Sequence, residues 1–128
     1  MHEKHIQPGL LLGGRTLISA VFIFAGFGKI SAYAATQAYM TSMGVPAELL
    51  PLVIALELGA GSALLLGLQV RVAALLLAGF SIVSALLFHA EPGDQMQSIL
   101  FMKNVAIAGG LLFMSAVGGG ALSLQRNV

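Results

Sequence analysis

The chain has 128 residues, 58% of them hydrophobic and 9% charged, with a formal net charge of +1. Six Lys/Arg and five Asp/Glu cannot cover a soluble globule of this length, because ordinary domains carry about 25% charged residues. Six scattered cations build no basic patch for nucleic acid, and zero cysteine removes disulfides, Cys-ligated metals and a CxxC redox motif.

What remains is an all-α integral membrane protein, a single transmembrane domain over residues 1–128 folded as an up-down four-helix bundle. Four apolar spans run over about 10–30, 49–68, 72–88 and 98–117, each near the ~20 residues a helix needs to cross the hydrocarbon core. The runs are continuous rather than alternating, which favours helices over barrel strands. The first span carries Arg15 and Lys29. Its rival reading is a secretory signal cleaved near Ala32-Tyr33-Ala34, against which stand Lys29 before that site and Arg15 inside the apolar run.

The stretch Ser31–Glu48 is an uncharged connection until its last residue, with Tyr33 and Tyr39 suited to the headgroup level. Gly44-Val45-Pro46 marks a turn before the second span, which tolerates Pro51 in its first turn and carries only Glu57. Gly67 is a helix stop opening the tight turn to the third span. That span ends at His89, and the acidic turn Ala90-Glu91-Pro92-Gly93-Asp94-Gln95 leads to the fourth, which carries only Lys103. Short links make consecutive spans antiparallel neighbours.

Orientation follows the Lys/Arg near span ends. Lys4, Arg15, Arg71 and Arg126 lie on the side of the termini, so both termini are expected in the cytoplasm of a bacterial inner-membrane protein. Ionisable groups inside spans cost at least ~2.5–3.5 kcal/mol on insertion scales and need a reason to be there. At about 100° per residue, Arg15, Phe22, Gly26 and Lys29 share a stripe, as do Glu57, Ala60, Gly61 and Leu64, and Lys103, Ala106, Gly110 and Met114. Small residues beside the charges point these faces into the bundle.

Lys29, Glu57, His89 and Lys103, one from each span, are therefore expected to converge in the outer half as a ligand-binding cluster, with Glu57 roughly 12 Å below Leu49. Arg15 and Arg71 are inner-side or structural polar residues. The competing reading is a structural lock, Glu57 pairing with Lys29 or Lys103. Three histidines, two of them at the N-terminus (His2 and His5), build no metal site.

Arg15 and Lys29 within RTLISAVFIFAGFGKI, Glu57 within ALELGAGSALLLG, then Arg71, His89, and Lys103 within FMKNVAIAGGLLF resemble the DoxX family over about residues 10–118. The resemblance implies a four-helix bacterial inner-membrane protein. Some relatives are membrane subunits linked to quinone-dependent thiosulfate oxidation, others go with oxidoreductase partners in redox stress, and many have no assigned activity. Nothing in the chain can store an electron, so no covalent cofactor is expected and a quinone or a partner is expected to accept the electrons. Related four-helix thiol enzymes use cysteines, which this chain lacks, so electron transfer by thiols within the chain is excluded.

Three functions compete. The first is a quinone-linked oxidoreductase subunit holding a quinone carbonyl or a small sulfur oxyanion on two lysines set against one carboxylate. The second is a membrane scaffold or chaperone packing against a partner, or against a second copy, through glycine-rich faces. The third is a small transporter in which Glu57 and His89 relay protons.

Overall fold

The computed structural model describes residues 2–91 and 93–124. Pro92 of the acidic turn and Arg126 of the orientation argument lie outside them, as do the side chains of His2, Lys4 and His5. Among the described residues the chain is wholly helical: α1 (His2–Ser31), α2 (Tyr33–Ser42), a 3-10 turn (Ala47–Leu49), α3 (Leu50–Leu66), α4 (Val70–Phe88) and α5 (Gln95–Val117). Ile6–Ser31, Ala47–Leu66, Val70–Phe88 and Gln95–Val117 are each long and apolar enough to cross a membrane. The protein is a membrane helical bundle whose long helices follow the order α1, α3, α4, α5, each packed on the next, with a slighter contact closing α5 onto α1.

Two glycines set the α1–α3 distance. A Cβ on Gly61 would stand 3.3 Å from side-chain atoms of both Phe22 and Ile23, and one on Gly26 would stand 2.7 Å from Leu58. The stripes expected from the sequence do face inward here, and small residues let the backbones approach. The α4–α5 seam is built from alanines: Ala73, Ala74 and Ala78 of α4 are buried with Ala108, Leu111 and Met114 of α5. Other glycines have open surroundings: Gly9, Gly13, Gly14, Gly28, Gly59, Gly79 and Gly109 have nothing within reach of an added Cβ.

Gly67 stops α3 as expected. Its backbone is left-handed (φ 77°), its N–H donates to Leu64 O (3.2 Å), and Leu68 N–H donates to Ala63 O (2.8 Å), the paired bonds of a Schellman cap. Gly44, at φ 78°, ends α2 in the same way, with Val45 N–H on Met40 O.

Both bundle arginines serve helix ends. Arg15 is buried, and its guanidinium donates through Nε to Leu64 O (2.7 Å) and through Nη2 to Leu65 O (3.2 Å). It also donates through Nη1 to Gly119 O (2.7 Å) and through Nη2 to Leu122 O (3.0 Å). One side chain thus satisfies carbonyls that the last turn of α3 leaves without intrahelical donors, and clasps residues 118–124 beneath them. Arg71 donates to the carbonyls of Ser115, Ala116 and Val117 at the end of α5, and Ser115 Oγ donates back to Arg71 O. Each cation sits where a helix dipole is negative. Because Arg15 is level with the end of α3, only the part of α1 from there to Ser31 lies beside the other long helices.

The connection 31–48 differs from the sequence expectation. It holds a ten-residue helix, α2, too short at roughly 15 Å to span. Thr36, Tyr39 and Met40 lie at i, i+3 and i+4, and all three turn toward the bundle end.

Candidate functional site

The bundle is closed at the end where α3 stops and residues 118–124 lie, and hollow at the other. Phe22, Leu64, Val70 and Leu77 fill the closed half. Beyond them the helices part around a cavity of about 410 Å³, within the ~300–1,000 Å³ range of ligand pockets. Its walls are apolar side chains of α1, α3 and α4, including Phe22, Leu50, Val53 and Phe80. α2 roofs it, with Met40 buried and the Tyr39 ring stacked on Phe88 at the end of α4, centroids 5.4 Å apart. Val21, Leu49, Val83 and Leu87 line the cavity while remaining exposed toward the membrane side.

The chemistry lies on that wall. Lys29 Nζ of α1 stands 2.8 Å from Glu57 Oε1 of α3, the carboxylate side chain being 3% exposed and the lysine side chain 29%. Apart from this ammonium, Oε1 has no hydrogen-bond partner among the described residues. Of the two partners weighed from the sequence, the structure selects Lys29. His89 also reaches the cavity from the end of α4, and its Nδ1 is 2.8 Å from Gln97 Oε1. Asp94 Oδ1 accepts from Gln97 N–H as the N-cap of α5, which holds that glutamine in place.

Lys103 does not join the cluster. It is exposed on α5 and lines a separate open groove with Gln95, Ser98 and Met102. The cavity-facing residue of that helix is its neighbour Asn104, followed by Ile107. One residue turns a side chain by about 100°, and the inward stripe runs through Ala108 and Leu111 rather than Ala106 and Gly110. Gly110 faces α1 instead, its missing Cβ 3.2 Å from Ile18. With Lys103 outside, the buried ion pair sums to zero and the expected cationic excess is gone.

Sequence reasoning also missed Ser81 and Ser84 of α4 and the roof residues Thr36 and Tyr39, all of which line the cavity. The serines carried a signal: hydroxyls in an otherwise apolar span at i and i+3, on the face that leads to His89. The cavity thus offers an ammonium, an amide and several hydroxyls around one buried carboxylate, the mixed donor set that holds a carbonyl oxygen inside apolar walls.

The model of the DoxX family matches residues 10–90. The chain is similar to inner membrane protein YqjF of Escherichia coli (strain K12), 48% identical over 123 residues, covering 96% of this chain and 95% of that protein. It is also similar to inner membrane protein YphA of the same strain, 35% identical over 128 residues and covering 94% and 91% of the two chains. No solved structure matches it.

Proposed function

The chain belongs to the DoxX family, and from that premise we propose that it is a multi-pass inner-membrane subunit that holds the ring of a quinone-like ligand in the roofed cavity, for a quinone-linked oxidoreductase. The observation that carries this reading is the buried Lys29–Glu57 pair opening on a cavity that is otherwise mainly apolar. One ammonium proton faces Glu57, which leaves two for a ligand oxygen. Asn104 of α5 adds an amide donor to the cavity lining. A zero-charge pair suits a neutral carbonyl better than a sulfur oxyanion, so the thiosulfate-like alternative loses its footing with the exclusion of Lys103. The exposed apolar lining residues suit a ligand that arrives from the bilayer.

The electrons of such a reaction pass through the quinone and a partner subunit, since the chain has no cysteine. The glycines with open surroundings leave α1, α3 and α4 faces on which a partner helix packs closely. With both termini in the cytoplasm, the cavity lies in the periplasmic half.

The test is titration of the purified protein with a short-tailed ubiquinone, read by thermal shift and by direct binding. Asn104→Leu, which spares the ion pair, is expected to weaken binding about 10-fold, the size of one lost hydrogen bond in a dry site. Thiosulfate and sulfite are expected not to compete. A folded sample that binds no quinone, alone or with native partners, would overturn the assignment and leave the ion pair as a structural lock.

A further inference from the structure

Lys103 poses a problem the cavity does not solve. It lies inside the span Gln95–Val117, exposed, with no ion pair or hydrogen bond among the described residues. A cation facing hydrocarbon costs at least ~2.5–3.5 kcal/mol unless an anion reaches it. Its position fixes which anion can. It stands roughly 12 Å along α5 from Gln95, and helical side chains lean toward their own N-terminus. The lysine stem therefore carries its ammonium back by about one helical turn toward the α2 end of the bundle, in the direction of Ser98.

A second observation agrees. Gln95, Ser98, Ile99, Met102, Lys103 and Ala106 line an open groove of about 500 Å³ on one face of α5. Its outer end holds an amide and a hydroxyl, and its inner end is apolar apart from the lysine stem. That is the polarity order of a phospholipid, phosphodiester outward and acyl chain inward. A second copy of this chain is a poor source of the counter-charge. Of the two carboxylates within its spans, Glu57 is buried and paired with Lys29, and the exposed Glu48 is the second residue of its span, at the headgroup end rather than at the depth of Lys103. The nearest acid on the same side, Asp94, is engaged as the α5 cap.

We propose that this face of α5 is a binding site for an anionic phospholipid. Its phosphodiester sits between the Lys103 ammonium and the Ser98 hydroxyl, and one acyl chain lies along Ile99, Met102 and Ala106. The site is independent of the roofed cavity, so neither reading depends on the other.

Native mass spectrometry of the delipidated protein in detergent, titrated with dioleoyl-phosphatidylglycerol and in parallel with dioleoylglycerol, tests it. The wild type is expected to retain one phosphatidylglycerol more tightly than the rest and to show no such site for dioleoylglycerol, which has the same chains without the phosphate. Lys103→Met is expected to weaken that first lipid about 10-fold or more, and Lys103→Arg to restore it. Ser98→Ala should weaken it by a smaller factor. Lys103 is exposed, so these variants fold, and an unchanged melting temperature in detergent checks it. Equal retention by wild type and Lys103→Met, or equal binding of the two lipids, overturns the proposal. Co-purification of a stoichiometric protein lost only in Lys103→Met would give the groove to a protein partner and overturn it as well.

Discussion

Severing the Lys29–Glu57 pair should have unequal effects depending on which side is removed. Lys29→Met strands a carboxylate whose side chain is 3% exposed and whose Oε1 has no other donor among the described residues. Breaking a buried pair in this way costs about 3–5 kcal/mol. Glu57→Met strands an ammonium that is 29% exposed and two residues from the end of α1. That group can turn to the interface, as long cationic stems do, so the expected loss is nearer ~1–2 kcal/mol, between a surface pair and a buried one. The double change replaces the pair by apolar groups of similar length, and such replacements are often neutral. The cycle should therefore show a coupling of roughly 4–7 kcal/mol, with the double variant more stable than Lys29→Met alone. Reversible unfolding in one detergent, with all four proteins side by side, measures it. Additive losses, or a larger loss from Glu57→Met, would refute the assigned pairing and burial.

Arg15→Met strips its donors from the carbonyls of Leu65, Gly119 and Leu122 and leaves Leu64 O with only the Gly67 N–H, at about 1–3 kcal/mol for each buried carbonyl left unpaired. Arg15→Lys should recover only part of this, because a point charge cannot reach four carbonyls; equal melting temperatures for the two variants would contradict the clasp. Gly61→Val forces a side chain against Phe22 and Ile23 and should destabilise by about 1–3 kcal/mol, whereas Gly79→Val, with nothing nearby, should be close to neutral by the same unfolding assay. Tyr39→Ala removes the stack on Phe88; faster amide exchange confined to residues 33–42 is expected, and unchanged protection would mean that the ring does not hold the roof.

The long helices were legible because hydrocarbon demands continuous apolar runs and backbone bonds closed within each segment. The Gly67 stop, the inward faces of Gly26 and Gly61, and the Lys29–Glu57 pairing option could be read from spacing. α2 could not, since YAATQAYMTS is neither long enough to span nor strongly two-faced; its helix is fixed by where Met40 and Tyr39 find partners. Lys103 misled for a definable reason. Its stripe also carries Ala106 and Gly110, and small residues mark close approach without saying to which neighbour. The acceptors of Arg15 were illegible in principle, because a backbone carbonyl has no letter of its own.

Those acceptors also impose an order on biosynthesis. Leu64 and Leu65 follow Arg15 by 49 and 50 residues, Gly119 and Leu122 by 104 and 107. At about 5–20 residues per second, the first two carbonyls emerge seconds after the arginine, and the last two about twice as late. Until then α1 carries an unshielded guanidinium that holds this level of the helix at a wet boundary, whatever the apolar length on either side. The arginine thereby sets how far the first helix can slide through the membrane, and the segment holding Gly119 and Leu122 releases that brake by replacing water with its own carbonyls.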